Sequence, residues 1–189
     1  LSRSADRFYV THQSGTKGVF RQGLPLTGGL SLASNEWNHY AFSFLSTSAG
    51  TQIDLYKDGE PEGPQIVQGQ GIGLVTGSLI AHLGALRTNP SGTSTSITSG
   101  MGKLSASLDE FRYWRQVRKS DDIGRNWFAG INGGSNQSEN KSKLGVYFKF
   151  NEGITEINQI DKVVLDYSGR INNGTFNGYS LGTRSTSSA

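Results

Sequence analysis

Three histidines and fifteen acidic side chains are the groups in this sequence that could carry chemistry, and their spacing decides which kind. Glycosidic bonds are cleaved by two carboxyl groups that flank them, which on a strand requires acids at alternating positions of one face. Asp109 and Glu110 are adjacent, so on a regular strand they point to opposite faces. Glu60 and Glu62 alternate, but they fall in a Gly/Pro turn without a third acid. His12, His39 and His82 have no close metal-ligand spacing, and there is neither a Gly-x-Ser-x-Gly elbow nor a Walker loop. Gly69-Gln-Gly-Ile-Gly73 is glycine-rich, yet no helix follows to present amides to a phosphate, so it reads as a loop. Lacking cysteine, the chain has no disulfide framework and no thiolate metal site. The pattern predicts a protein that is not an enzyme.

Binding is the remaining chemistry. A sugar face needs an exposed aromatic platform with polar groups beside it, and Tyr9, Tyr56, Trp114 and Tyr179 are the candidates. Tyr113 and Trp114 are expected on opposite faces. Asn89 opens a Ser/Thr/Gly/Pro run to Gly100, expected to be a surface loop long enough to contact a ligand. The densest basic run, Arg112–Lys119, carries four positive charges but lies beside Asp109, Glu110, Asp121 and Asp122. It reads as a solvated rim with local ion pairs, so no nucleic-acid partner is expected. No window approaches the roughly 18 consecutive apolar residues of a membrane span, so no membrane insertion is expected. Sequons at Asn136, Asn140 and Asn173 matter only in a eukaryotic secretory host.

The elements that would position these groups are short strands. Glycine is abundant at 26 of 189 residues, hydrophobic content is 34% and net charge is +3, a mixture that fits many turns joining half-buried strands. Arg7-Phe-Tyr-Val10 and Lys17-Gly-Val-Phe20 flank the turn signal Ser14-Gly15, and Leu30-Ser-Leu32 ends another apolar stretch. Alternation is clearest in Trp37-Asn-His-Tyr-Ala-Phe-Ser-Phe-Leu45 and Gln52-Ile-Asp-Leu-Tyr-Lys57, which predict a hairpin with Tyr40, Phe42 and Phe44 on one face. Asp58-Gly59 is a turn signal requiring positive φ. Residues 63–73 read as loop, 79–86 as a buried strand, and 103–114 as a strand. Ser120-Asp-Asp-Ile-Gly-Arg-Asn-Trp-Phe reads as one short rim helix with Ser120 as N-cap. Residues 144–150 and 163–165 are further strands. The organisation expected is a β-sandwich over 1–132, a polar linker over 133–143, and a C-terminal β segment over 144–189. That last segment either completes the sandwich or starts a second repeat. Both ends look cut from a longer polypeptide.

Three pieces, in order, resemble the laminin-G-like (pentraxin-like) domains of the concanavalin A-like lectin/glucanase superfamily. The first is Trp37-Asn-His-Tyr-Ala-Phe followed by Ile53-Asp-Leu-Tyr-Lys-Asp-Gly, similar to that family's W-x-H-x-A and L-Y-x-[DN]-G pattern. Gly102-Lys-Leu-Ser-Ala-Ser-Leu-Asp-Glu-Phe-Arg-Tyr-Trp resembles its G-x-I-D-E-[VF]-R element. Leu144–Phe150, Glu152-Gly153 and Asp166-Tyr-Ser-Gly-Arg-Ile-Asn-Asn-Gly resemble the piece that normally opens such a domain. The resemblance implies an all-β, antiparallel two-sheet jelly-roll sandwich, with calcium ligands at Asp166 and at the Asp109 position. The Asp166-Tyr-Ser-Gly-Arg-Ile-Asn-Asn-Gly-Thr-Phe stretch with the Ser/Thr-rich tail is also similar to large structural proteins of tailed, especially marine, phages. Implied is a virion role in capsid decoration, tail or fibre, contacting other virion proteins or copies of itself. A secreted carbohydrate-binding module contacting cell-surface glycans is the alternative.

Overall fold

The computed structural model describes residues 7–26, 36–75, 77, 79–88, 97–101, 106–131 and 143–177. Among them the protein is all-β, with antiparallel strand pairs in five sheets and two short helices. The described residues fall into two compact units, the first within Leu1–Ala106 and Val117–Ala129, the second within Ser107–Gln116 and Gly130–Ala189. Leu30–Leu32, Asn89, Asn136, Asn140, Tyr179 and residues 133–142 of the expected linker lie outside the described residues.

In the first unit, β1 (Arg7–Ser14) and β2 (Lys17–Pro25) form a hairpin, and β3 (Tyr40–Thr47), β4 (Gly50–Lys57) and β5 (Glu60–Gln68) form a meander. Alternation does what the sequence predicts. Phe42 pairs with Leu55 and Phe44 with Ile53, which puts these side chains and Tyr40 on one face. That face meets Phe8, Val19, Leu24 and Leu26 in a single apolar cluster. Phe8 sits edge-on to Tyr40 and Phe42, with ring centroids 4.8 and 5.4 Å apart. Between β4 and β5, Asp58 and Gly59 both have positive φ (48° and 87°), the backbone of a tight two-residue hairpin turn. A Cβ at Gly59 would run into the Trp127 indole, so a side chain is excluded there on two grounds.

Several expectations need correction. Residues 63–68 belong to β5 instead of a loop; Pro61 and Pro64 are tolerated because β5 pairs with β4 alone among the described residues. Glu60 and Glu62 are therefore strand residues that alternate along β5, not members of a turn. The buried strand expected over 79–86 is absent up to residue 85, and Leu79 and Ile80 are exposed. Gly84, at φ 71°, turns the chain where a strand would continue. Pairing begins only at β6 (Leu86–Thr88), whose partner β7 (Ile97–Met101) takes up the end of the expected 89–100 loop. Trp37 precedes β3 and is 60% exposed, outside the apolar core.

The helix α1 (Ser120–Asn126) packs beside β5, with Asp121 and Asp122 in its first turn. Ser120 is its first residue and not its cap; Lys119 holds the cap position.

Of the expected 103–114 strand, residues 103–105 lie outside the described residues, and in the second unit β8 (Phe111–Trp114) is the part found among the described ones. It pairs with β9 (Leu144–Phe148), and residues 107–110 are irregular. The cause is local: Glu110 has φ 51°, and its amide donates to the Asp109 carboxylate at 2.8 Å. A one-turn helix α2 (Asn158–Asp161) leads into β10 (Val163–Val164), which pairs with β11 (Gly174–Thr175). Among the described residues, Leu144, Tyr147 and Val164 are the buried hydrophobic side chains of this unit.

Candidate functional site

In the second unit, Glu110 and Asp166 both bond to Tyr147, whose ring is buried. Tyr147 points from β9 and donates its hydroxyl to Glu110 Oε2 at 2.6 Å. The same oxygen accepts from Arg112 at 2.7 Å, and the Arg112 guanidinium and the Lys149 ammonium each lie 5.4 Å from the Tyr147 ring centre. Burial favours the neutral form of Glu110, but hydrogen bonds from Tyr147 and Arg112 with the charges of Arg112 and Lys149 outweigh it. Its carboxyl is thus held below its usual pKa. Burial, then the hydrogen bond and charge of Glu110, push the Tyr147 hydroxyl up to about 12. Proton transfer at neutral pH needs groups poised near pH 7, and these two are driven away from it in opposite directions. The arrangement is a clamp between the β8 entrance and β9.

Asp166, the calcium candidate, lies after β10 and accepts four hydrogen bonds. Its Oδ1 takes the amides of Tyr147 and Ser168, each at 2.9 Å, and its Oδ2 takes the Ser168 hydroxyl at 2.8 Å and the Asn172 amide at 2.9 Å. Burial alone would raise its pKa; these donors overcome that and hold it low. A carboxylate offers about four lone-pair sites, so a calcium ion here would compete with all four donors. Asp109, the other candidate, is exposed and bonded to the Glu110 amide. Among the described residues, no group of three or more His, Cys, Asp or Glu side chains is placed to hold a metal ion.

No family model, curated protein or solved structure matches the chain. Its candidate contacts therefore have to be judged from their own geometry. Tyr56 is buried on β4 and bonded to the Ser120 side chain of α1, so its ring is internal. Tyr9 on β1 and Trp114 on β8 are half-buried, and an irregularity between Tyr113 and Trp114 interrupts the simple alternation expected of them.

An aromatic group not singled out from the sequence lies at the end of α1. The Trp127 indole rests on the Gly59 turn, 5.9 Å from the His39 ring and 5.6 Å from Phe128, which is 71% exposed. Beneath it, the His39 amide donates to Asp58 Oδ1 at 2.7 Å while the Asp58 amide donates back to the His39 carbonyl at 2.9 Å. The W-x-H and D-G strings held the signal for this pairing. The exposure of Phe128 had none, because a Trp-Phe pair at a helix end looks the same whether covered or open.

Proposed function

We propose that this chain is a non-catalytic structural and adhesion module of a larger virion protein, in which a laminin-G-like jelly-roll sandwich makes the contacts. The observation that carries this reading is the employment of the acids. Asp58, Glu110, Asp161 and Asp166 each accept hydrogen bonds from amides or hydroxyls of their own unit, so these four acids tie their own units together. The apolar cluster shared by the β1–β2 and β3–β4–β5 sheets supports the sandwich architecture. Partners on this reading are neighbouring virion proteins or further copies of the chain. Mass spectrometry and antibody labelling of purified particles test it: the chain belongs in the particle at stoichiometric amounts, and finding it only as a free secreted protein would overturn the assignment.

A glycan-binding module is the second reading, favoured by the exposed Phe128 ring beside Trp127. A glycan array separates the two. Binding that is lost in Phe128→Ala, with the fold retained, supports the second reading; an array without hits removes it.

A further inference from the structure

The β3–β4–β5 meander has two faces, and one of them joins the apolar cluster. Register places Ser43 opposite Asp54, and sets Leu45, Gln52 and Val67 in one row across the three strands. Alternation puts these side chains on the face opposite Phe42, Phe44 and Ile53. Gln65 joins them, because Ile66 pairs with Ile53 on the core side and the Gln65 amide reaches Asp54. At one end of this outer face, the buried Tyr56 is bonded to Ser120 of α1. Away from that end, Leu45 and Val67 are 41% and 44% exposed.

Asp54 differs from Asp58 and Asp166, which hold backbone amides, in that all its donors are side chains. Its Oδ2 accepts the Ser43 hydroxyl at 3.0 Å and the Gln52 amide at 3.1 Å, and its Oδ1 accepts the Gln65 amide at 2.9 Å. A carboxylate has about four acceptor sites, so one on Oδ1 stays open. Each glutamine gives one amide hydrogen to Asp54. Among the described residues, its second amide hydrogen and its side-chain carbonyl have no partner. An acceptor flanked by two donor–acceptor amides is thus held in place, with aliphatic groups in the next row.

We infer that this face binds a neutral oligosaccharide, with Asp54, Gln52 and Gln65 bonding its hydroxyls and Leu45 and Val67 packing on its C–H groups. A hydroxyl both donates and accepts, so neighbouring hydroxyls can satisfy the open Asp54 site and both amides together. An apolar partner would leave those groups without bonds. An added peptide strand is recognised through backbone groups at a sheet edge, and a sheet face offers none. Asp54 is the one charge among the six side chains, which disfavours acidic sugars and nucleic acids. Because the polar groups are already bonded to one another, they lose little freedom on binding. The inference rests on the glycan-binding reading and adds a contact to the one at Phe128.

An array of neutral oligosaccharides of glucose, galactose, mannose and N-acetylglucosamine tests it on the 189-residue chain, with NMR shifts locating each hit. A hit should move the side-chain amides of Gln52 and Gln65 and the methyls of Leu45 and Val67. In the double variant Gln52→Ala, Gln65→Ala its affinity should fall about 10-fold or more, since two bonding side chains are removed. Neither glutamine is buried, so circular dichroism should stay native-like. Should the variant misfold, the shift map of the unaltered chain decides alone. Hits that move Phe128 and Trp127 but spare Gln52 and Gln65 overturn the inference and keep the glycan-binding reading. Unchanged affinity in a folded double variant overturns it as well. An array without hits removes the inference and that reading together.

Discussion

The two units solve the same problem, tying distant strands together, with different forces. In the first, Phe8, Val19, Leu24, Leu26, Ile53 and Leu55 are buried together, and the sheets adhere through area removed from water. In the second, the polar side chains of Glu110, Arg112, Asp166 and Ser168 do much of the joining around Tyr147, and Asp161 ties Thr155 separately. Both units use an Asp–amide pin across nineteen residues, His39 to Asp58 and Tyr147 to Asp166. Only in the second does the carboxylate also gather a turn, through Ser168 and Asn172. Apolar area is additive and forgiving, whereas a hydrogen-bonded carboxylate concentrates many contacts in one side chain. The first unit should therefore lose stability in proportion to volume removed, and the second should fail at single atoms.

The largest effect should come from Ile53→Ala, which empties a fully buried position of the first core. A loss of about 2–5 kcal/mol is expected, read as unfolding of the first unit by hydrogen exchange under denaturant. Asp166→Ala should rank next, at about 3 kcal/mol, since it leaves the part-buried Tyr147 and Ser168 amides without this acceptor. Asp166→Asn keeps the shape and one carbonyl oxygen, so it should recover part of the loss. If Asn and Leu at this position were equally destabilising, shape and not hydrogen bonding would be the cause, and the contrast between the units would collapse.

This contrast also explains what was readable from the sequence. Period-two alternation foretells an apolar face, and Tyr40, Phe42 and Phe44 lie where it places them. A local turn rule was enough for Asp58-Gly59. The hydrophobic pattern misled at 79–85 and 106–110, where positive φ at Gly84 and Glu110 ends the extended backbone without changing that pattern. The expected loop over 63–68 missed a strand because Pro and Gly argue against strands in general but not against an edge. Polar pins were least legible. Nothing in Asp166 alone distinguishes a calcium ligand from an acceptor of four donors; that depends on where Tyr147 and Asn172 arrive.

Tyr147→Phe sharpens the comparison at lower cost, removing one hydroxyl while keeping the buried ring. About 1–2 kcal/mol should be lost from the second unit alone, because Glu110 Oε2 keeps its bond from Arg112. The same hydroxyl sets an alkaline limit. Its pKa is raised from 10.0 to about 12, so the folded form holds the proton longer than the unfolded form does. Its contribution is complete below pH 10.0 and disappears as pH rises through about 12. Tyrosinate absorbance should show this late step in the unaltered chain and lack it in Tyr147→Phe.

The smallest effect separates the units by acid. His12 packs against Phe44 at 4.7 Å, and burial lowers its pKa from 6.5, so the unfolded chain takes the proton first. The His12 contribution is whole above pH 6.5 and is lost as pH falls through its lower folded value. Asp166 and Glu110 are lowered from 3.8 and 4.5, so their contributions persist through mild acid and vanish only below those values. Acidification should then loosen the first unit before the second, the reverse of what an apolar core and a charged network would suggest. Hydrogen exchange at about pH 5.5 and again near pH 3 would show the order, each referenced to neutral pH. In His12→Gln the mild-acid step should vanish while the strongly acidic one remains. Simultaneous loosening of both units in mild acid, persisting in that variant, would remove His12 from the explanation and leave the carboxylates as the only acid-sensitive groups of the comparison.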